Sequence, residues 1–364
     1  MLIKEVISFL ESLAHPSLQE PYDNAGLIIG AADWNCTGII CTLDATEDVV
    51  KEAIEKKCNL IIAHHPIVFG GLKKINGKNY VEKTVITAIK NDIAIYAIHT
   101  NLDNVVEGVS GNMATLLGLE NVKVLAPKQG LLKKLFTFVP VDHAEKVRNA
   151  IFAAGAGHIG NYSECSFNAE GTGTFKAGEG TTPFVGEVGE RHTEKEIKVE
   201  VILPSFLERT VLAALFAAHP YKEVAYDMVP LSNLYENIGS GVIGELPQAM
   251  EEKAFLEKVK TVFKTPVLRH TALLARPIKK VALCGGTGSF LISNALAAGA
   301  DAYITADLKY HEFFDANGSM LLADIGHYES EQFTIDLLAV HLEQKFPNFA
   351  VLKTEVNTNP VRWA

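Results

Sequence analysis

Leu60-Ile61-Ile62-Ala63-His64-His65-Pro66 is a short apolar run that ends in two histidines and a proline. Such a run between breakers is typical of a buried parallel strand, and Pro66 should end it because proline cannot donate a ladder hydrogen bond. Open α/β sheets bind ligands at the carboxyl ends of their strands, so the pattern predicts a site at His64 and His65. Adjacent strand residues point to opposite faces, so the pair could serve two metal ions, or could be packed or surface histidines.

The segments that flank this run predict a parallel sheet. Residues 38–44 form an apolar strand that ends in an acid, and Thr46 is a suitable N-cap for the helix that follows. Strand, helix and strand within about 30 residues make a βαβ unit. A second apolar strand at 93–98 leads into His99 and Asp103, which we expect at the same edge of the sheet.

The last third of the chain has a similar layout with a different sequence. A strand at 280–284 leads into the turn Gly285-Gly286-Thr287-Gly288, and a helix and a strand at 301–305 follow. The turn resembles a phosphate cradle at a helix N-terminus, but it is not a complete dinucleotide-binding or Walker motif. Tight packing between strand and helix is therefore the favoured interpretation.

Polar residues again follow the strands of this second unit. Asp307 and His311 come after the strand at 301–305 and are candidates for substrate contact or proton transfer. A further strand at 321–325 precedes His327, which opens a helix. Because residues four apart lie on one helix face, His327 and Glu331 should point the same way.

Residues 128–232 differ in character from the rest of the chain. They predict the order strand, helix, two strands, helix, strand, which is typical of a ferredoxin-like α+β module. The ends of such a module lie close together, as insertion into another domain requires. The predicted architecture is an α/β domain made of two βαβ-containing halves, residues 1–127 and 233–364, interrupted by this inserted domain.

Composition and charge exclude several classes of protein. A hydrophobic content of 48% and a charged content of 21% are ordinary for a globular chain. The net charge of −10 argues against a general nucleic-acid binder. No apolar run is long enough to span a membrane, and the N-terminus lacks the layout of a signal peptide. The 5 cysteines include no CxxC pair, so we expect a reduced, cytoplasmic protein.

Five side chains are predicted to share the carboxyl edge: His64, His65, Asp103, His327 and Glu331. Three imidazoles and two carboxylates suffice for two metal ions that share a bridging carboxylate and keep positions open for water. Two ions about 3.5–4 Å apart can activate a water and stabilise a departing oxygen. Mixed ligands of this kind suit zinc, manganese, iron or cobalt. Spacing alone leaves open whether the groups bind metal or are packed histidines.

Four neighbouring residues each have two interpretations. His99 ends a buried strand and is by default a core histidine, but it could instead orient Asp103 through a hydrogen bond. Asp44 either caps a helix or contacts substrate. Asp23 and Asn24 are either turn formers that bond their own backbone or substrate contacts.

Four of these motifs together resemble the NIF-three-like family, whose members are often named GTP cyclohydrolase I type 2 homologues. In chain order the motifs are Asp23-Asn24-Ala25-Gly26-Leu27, Ala63-His64-His65-Pro66, His99-Thr100-Asn101-Leu102-Asp103 and Gly326-His327-Tyr328-Glu329-Ser330-Glu331. The resemblance covers residues 1–127 and 233–364. The intervening segment is similar to the PII- or CutA-like domain inserted in longer bacterial members.

The resemblance implies a dinuclear metal centre and a ring-shaped homo-oligomer, typically a hexamer, whose sites face an inner cavity. The family's ligands match His64, His65, Asp103, His327 and Glu331, with Glu331 as the bridge.

The leading hypothesis is a metal-dependent hydrolase that binds two divalent ions, Zn, Mn, Fe or Co. It would act through a metal-bound hydroxide on a small molecule of the nucleotide or phosphoester type. Its candidate catalytic residues are His99, Asp307 and His311. The alternative is a non-catalytic, metal-binding regulatory scaffold whose inserted domain senses a small ligand. Neither a membrane nor a nucleic acid is expected as a partner.

Overall fold

The structure, a computed structural model, describes residues 1–363. Over these residues the chain has a mixed α/β fold with several sheets. It divides into two compact units, one made of Met1–Pro127 with Asn237–Ala364 and the other of Lys128–Glu236. No helix within the described range is long and apolar enough to cross a bilayer.

Strands and helices alternate along much of the chain. The strands are β1 (Gly26–Ile29), β2 (Ile39–Asp44), β3 (Leu60–His65), β4 (Ala94–Ala97), β5 (Glu120–Gln129), β6 (Leu132–Pro140), β7 (Ser166–Lys176), β8 (Arg191–Pro204), β9 (Tyr226–Leu231), β10 (Leu234–Met250), β11 (Arg269–His270), β12 (Ile278–Thr287), β13 (Ala302–Ala306), β14 (Leu321–Asp324) and β15 (Val351–Lys353). The α-helices are α1 (Ile3–Leu13), α2 (Glu47–Glu55), α3 (Tyr80–Lys90), α4 (Thr100–Asp103), α5 (Val109–Leu117), α6 (Ala144–Ala153), α7 (Glu208–Ala218), α8 (Glu252–Phe263), α9 (Ile292–Ala297), α10 (His327–Glu331) and α11 (Thr334–Lys345).

One sheet of the first unit carries the two adjacent histidines near its centre. Its strand order is β1-β4-β3-β2-β15, with β1 antiparallel to β4 and the other neighbours parallel. Leu60, Ile61 and Ile62 of β3 are fully buried, because α2 and α3 pack on one face of this sheet and α1 and α11 on the other. Asp44 and His65 are register partners at the carboxyl ends of β2 and β3, so the acid lies beside the second histidine.

A second sheet of the same unit has the strand order β11-β14-β13-β12-β10-β5. Strands β12, β13 and β14 are parallel, whereas β10 and β11 run antiparallel to their neighbours β12 and β14. Met113 of α5 and Phe255 of α8 belong to one of its cores, and Ile292 and Ala295 of α9 belong to the other. The parallel part of this sheet brings the end of β13 close to the start of α10.

The sequence pattern does not predict β5 and β10. The segment 236–241 contains Glu, Asn, Ile, Gly, Ser and Gly, a composition typical of a turn, yet it lies within β10. A Cβ at Gly239 would lie 2.1 Å from the carbonyl oxygen of Ala126, so glycine allows β5 and β10 to approach closely at this point. A local rule for turns therefore misses a pairing between segments that are far apart in sequence.

The sequence pattern also predicts helices from Val105 to Leu117 and from His327 through Leu342, and both differ from the structure in extent. The helix predicted from Val105 begins only with α5, because the chain turns at Gly108 after the short helix α4. Asp103 therefore lies on α4 and not directly at the end of a strand. The helix predicted from His327 through Leu342 is interrupted between α10 and α11.

The second unit contains β6, α6, β7, β8, α7 and β9 in that order. Its antiparallel sheet has the strand order β7-β8-β6-β9. Both helices contribute to one core, which includes Leu135, Val147, Val201 and Leu215. Residues 158–188 are rich in glycine, threonine and serine, a composition that predicts a long hairpin-like stretch, and they contain β7 and part of the loop before β8.

Gly108 sits where the helix that carries Asp103 meets α5. A Cβ at this position would lie 1.8 Å from the carbonyl oxygen of Leu102 and 3.0 Å from that of Val105. We expect Gly108→Ala to lower the free energy of unfolding by about 1–3 kcal/mol, because backbone must move to admit the methyl group. Chemical denaturation of the metal-free protein measures this change.

Gly71→Ala is the matched control, because nothing lies within 4 Å of the position where its Cβ would be. Its unfolding midpoint should stay close to that of the unaltered protein. Equal stability of the Gly108 and Gly71 variants would contradict the close approach between α4 and α5.

Candidate metal centre

Strand β3 places its two histidines in different environments. His64 is fully buried, and its Nδ1 lies 2.8 Å from the backbone carbonyl oxygen of Ile98. The Nδ1 of His65 lies 2.8 Å from Oδ1 of Asp44, the register partner on β2. Each ring is thereby held through Nδ1, so that Nε2 is the nitrogen that faces the other groups of the cluster.

Helix α10, which follows β14 of the second sheet, supplies a third imidazole. It begins after Gly326, which has a φ of 91°, and presents His327 and Glu331 on one face as their spacing predicts. The Nδ1 of His327 lies 2.7 Å from Oδ2 of Asp307, and the hydroxyl of Thr287 donates to the same oxygen at 2.7 Å. Asp307 has a φ of 56°, a left-handed conformation that is uncommon outside glycine and clusters at functional sites.

The Nε2 atoms of His65 and His327 meet at one carboxylate oxygen. They lie 2.9 Å and 3.1 Å from Oε2 of Glu331 and 3.3 Å from each other. A neutral imidazole that donates through Nδ1 has a lone pair on Nε2, so these three atoms form a ready set of electron-pair donors.

The other oxygen of the same carboxylate faces His64. The Nε2 of His64 lies 4.0 Å from Oε1 of Glu331 and 3.6 Å from Oδ1 of Asp103, which is carried by α4. Two buried atoms here have no hydrogen-bond partner, namely Nε2 of His64 and Oδ1 of Asp103. Buried polar atoms are nearly always paired, so two such atoms in one cluster fit a bound cation.

Burial and neighbouring charges separate the pKa values of the imidazoles. Burial lowers the pKa of His64 to about 3, so the ring stays neutral. Burial also disfavours the charged form of His65 and His327. Hydrogen bonds to Asp44 and Glu331 nevertheless raise the pKa of His65 to about 9, and the charge of Glu331 together with Asp307 raises the pKa of His327 to about 11.

Burial and neighbouring charges also separate the pKa values of the two carboxyl groups, Asp103 and Glu331. Burial, reinforced by the charge of Glu331, raises the pKa of Asp103 well above its ordinary value. Burial acts against ionisation of Glu331 as well, but the neighbouring His327 and His65 outweigh it and hold the pKa of that carboxyl well below the usual range. Without a cation, protons on the imidazoles compensate the charge of Glu331, and a metal ion would take their place.

His99 faces the same cluster and is not simply a core histidine. Its ring nitrogen lies within 4.8 Å of those of His64 and His65, and its Nδ1 lies 2.8 Å from Oδ1 of Asp23. The hydroxyl and the backbone N–H of Thr100 donate to the other oxygen of Asp23. Burial acts to raise the pKa of Asp23, but the hydrogen bonds from His99 and from the Thr100 hydroxyl lower it to about 2.

The structure revises the interpretations of Asp23, Asn24 and Asp44. Asp23 accepts a hydrogen bond from the N–H of Asn24 at 2.7 Å, as a turn former does, and in addition holds His99. Asn24 donates to the carbonyl oxygen of Val68. Asp44 does not cap α2, because Thr46 does so; its role as the partner of His65 was missed. The signal for that role was its position at the end of the strand beside β3.

The remaining candidate residues lie around this cluster. Asp307 holds His327 through a hydrogen bond, as described above. His311 follows it on an exposed 3-10 segment, where its ring contacts those of Tyr310 and Phe314. The fold thus brings Asp307 to the cluster, whereas His311 contacts aromatic neighbours.

The glycine turn at the end of β12 contributes to packing. The N–H groups of Gly285 and Gly286 donate to the hydroxyls of Ser110 and Ser330. A Cβ at Gly286, which has a φ of 60°, would lie 2.3 Å from Oε1 of Glu331. The turn therefore leaves room for the central carboxylate, and the favoured interpretation of tight packing agrees with its contacts.

Comparison with known proteins extends the similarity over nearly the whole chain. The model of the Duf34/NIF3 (NGG1p interacting factor 3) family matches residues 1–360. The chain belongs to the Duf34/NIF3 family. The resemblance predicted from four short motifs is thereby confirmed.

Relatives of this Duf34/NIF3 chain match it from end to end. The GTP cyclohydrolase 1 type 2 homolog of Halalkalibacterium halodurans is 41% identical over 360 residues, which cover 98% of this chain and 97% of that protein. The homolog of the same name from Bacillus subtilis is 39% identical over 363 residues, with the same coverage of 98% and 97%. The crystal structure of a Bacillus cereus protein related to NIF3 has a TM-score of 0.88 at 40% identity and covers 100% of this chain and 99% of that one.

Metal content tests this site in the Duf34/NIF3 protein directly. Five positions are substituted by alanine, one at a time: His64, His65, Asp103, His327 and Glu331. Loss of a residue that only hydrogen-bonds a metal ligand typically weakens metal binding by about 10- to 100-fold. We expect each of the five substitutions to weaken the binding of a divalent ion by more than that, because each removes a ligand itself. Elemental analysis after dialysis against limiting metal measures the ions bound per chain.

His270→Ala is the control, because His270 is exposed on β11 and its Nδ1 contacts only a nearby backbone carbonyl. It should bind as much metal as the unaltered chain. Full metal content in Glu331→Ala would count against the cluster as a metal site.

Proposed function

We propose that this protein is a metal-dependent hydrolase whose centre holds two divalent ions. The observation that carries the proposal is the convergence of three imidazole nitrogens and two carboxylates, in which Nε2 of His64 and Oδ1 of Asp103 are buried without a hydrogen-bond partner. The side chain of His327 is 39% exposed and that of Asp103 is 29% exposed, so the cluster reaches the protein surface at these two residues. Accessible positions are typical of catalytic metal sites, whereas structural sites are closed.

The donors divide into two sets that share Glu331. One ion would lie among His65, His327 and Oε2 of Glu331, and the other among His64, Asp103 and Oε1. Nitrogen and oxygen donors of this kind suit Zn, Mn, Fe or Co. Bound ions would supply Lewis-acid polarisation of the substrate and activation of a water.

The chain's own residues position this chemistry. Asp44 and Asp307 hold the rings of His65 and His327 through Nδ1, which fixes the direction of each Nε2. His99 is held by Asp23 in the same manner, so its Nε2 can accept a proton from the reacting group and return it to the leaving group. Asp307 is thus a positioning residue in this proposal, and His99 is the candidate catalytic base.

A nucleotide or another phosphoester is the proposed class of substrate. The name of the curated relatives, GTP cyclohydrolase 1 type 2 homolog, supports a nucleotide. Tyr310 and Phe314 are exposed beside His311 on the segment that follows Asp307, and exposed rings can stack on a planar base. His311 would contact the substrate from this segment.

Turnover of a substrate panel tests the hydrolase. Metal-loaded protein is assayed against GTP and a series of phosphoesters, and product is followed by chromatography. We expect His65→Ala and Glu331→Ala to lower turnover by at least about 100-fold, because the loss of bound metal removes several kcal/mol of transition-state stabilisation. His270→Ala should keep full activity. Turnover that survives in both ligand variants would exclude the proposed hydrolase.

A regulatory scaffold is the alternative from another functional class. We propose that residues 128–232 form an inserted ferredoxin-like domain similar to PII or CutA proteins. The order β6-α6-β7-β8-α7-β9 and the antiparallel sheet of the second unit support this assignment. Such a domain could sense a small ligand. Stoichiometric metal binding without turnover of any panel member would favour the scaffold.

We propose that the protein assembles into a homo-oligomeric ring. Its mass in solution tests this assembly. Family resemblance supports a hexamer. We expect static light scattering on the metal-loaded protein to give a mass above that of a dimer at micromolar concentration. A monomeric mass across the concentration series would contradict the ring.

A further inference from the structure

The C-terminal segment, residues 354–363, returns to the metal centre although it contains none of the candidate ligands. It leaves β15 and first continues the pairing with β2, where the N–H of Thr354 donates to the carbonyl oxygen of Cys41 at 3.0 Å. The N–H of Glu355 donates to Glu52 of α2 at 2.9 Å, and Val356 packs on the core beneath that helix. The segment is therefore docked before it reaches the site.

Thr358 makes the first contact with the centre. Its hydroxyl donates to Oδ2 of Asp44 at 2.8 Å, while Oδ1 of Asp44 lies 2.8 Å from Nδ1 of His65. Both oxygens of this carboxylate are thus engaged, one by the C-terminal segment and one by a candidate ligand. Rotation of the Asp44 carboxylate would break the bond to Thr358, so the hydroxyl helps to fix the ring of His65.

Glu329 makes the second contact, from the helix that carries His327 and Glu331. Its carboxylate is buried, and its Oε1 accepts hydrogen bonds from Nε1 of Trp363 and from Nδ2 of Asn359, each at 3.2 Å. Its Oε2 would lie only 2.3 Å from a Cβ at Gly326, so the absence of a side chain there leaves room for this carboxylate. A buried carboxylate needs donors of this kind, so the C-terminal segment stabilises α10 in its observed position.

The two contacts reach both halves of the cluster. Asp44 holds His65 at the end of β3, and Glu329 lies between two candidate ligands on α10. We propose that Thr358 and Trp363 are positioning residues of the metal centre: the C-terminal segment fixes His65 relative to α10. This inference rests on the proposed assignment of His65, His327 and Glu331 as metal ligands.

Removal of one hydroxyl tests the first contact. We expect Thr358→Val to weaken the binding of Co²⁺ by about 10- to 100-fold, the loss typical for a partner of a metal-ligating histidine. The absorption bands of bound Co²⁺ should also shift, because the ring of His65 can reorient. Chelator competition measures the affinity, and visible spectroscopy of the cobalt-loaded protein reports the ligand geometry.

Thr358→Ser is the matched control, because it keeps the hydroxyl and should restore both affinity and spectrum. Trp363→Phe removes a single N–H donor near the protein surface and tests the second contact without a change of core volume. It should weaken Co²⁺ binding in the same direction. Lys353→Met breaks an exposed ion pair with Asp336 just before the segment and should leave both readouts unchanged.

The outcomes separate this inference from the function proposed above. Affinity and spectrum unchanged in both Thr358→Val and Trp363→Phe would overturn the role of the C-terminal segment and leave the metal centre intact. Failure of the unaltered protein to bind Co²⁺ would overturn both. If Thr358→Val does not fold, Trp363→Phe decides: weaker binding with a shifted spectrum supports the inference, and unchanged binding overturns it.

Discussion

One buried carboxylate organises the first unit. Glu331 is 3% exposed, yet its two oxygens face imidazoles from β3 and from its own helix. A charge in such a place is costly unless it is compensated, and here the compensation comes from His65 at the end of β3 and His327 at the start of α10. These two chain segments must therefore converge at one point, and the glycine turn at the end of β12 keeps space for the carboxylate where they do.

Each imidazole around this carboxylate is held from behind by an acceptor. Asp44, Asp307 and a backbone carbonyl hold the rings of His65, His327 and His64, and Asp23 holds His99. The acceptors at Nδ1 fix the orientation of each ring, and the Nε2 atoms remain available to bind a metal ion or to transfer a proton. Membership of the Duf34/NIF3 family establishes the fold that delivers these groups, and their chemistry indicates what the fold can do.

Sequence patterns predicted the parts of this arrangement that depend on local order. The apolar run before His64, the N-cap at Thr46 and the four-residue spacing of His327 and Glu331 each follow from strand or helix periodicity. The pairing of β5 with β10 could not be predicted, because it joins segments more than 100 residues apart through a glycine-rich stretch that resembles a turn. The link from Thr358 to Asp44 was missed for the same reason.

The close pairing of β5 and β10 has a consequence for how this chain can vary. The polypeptide leaves the sheet at the end of one strand and rejoins it on the adjacent strand, and neighbouring strands lie about 4.8 Å apart. Any module whose own first and last residues lie equally near each other can be accommodated at this junction without disturbing the sheet. A two-residue hairpin meets that requirement as well as a hundred-residue domain does, so protein engineers could use this junction to graft or excise whole modules.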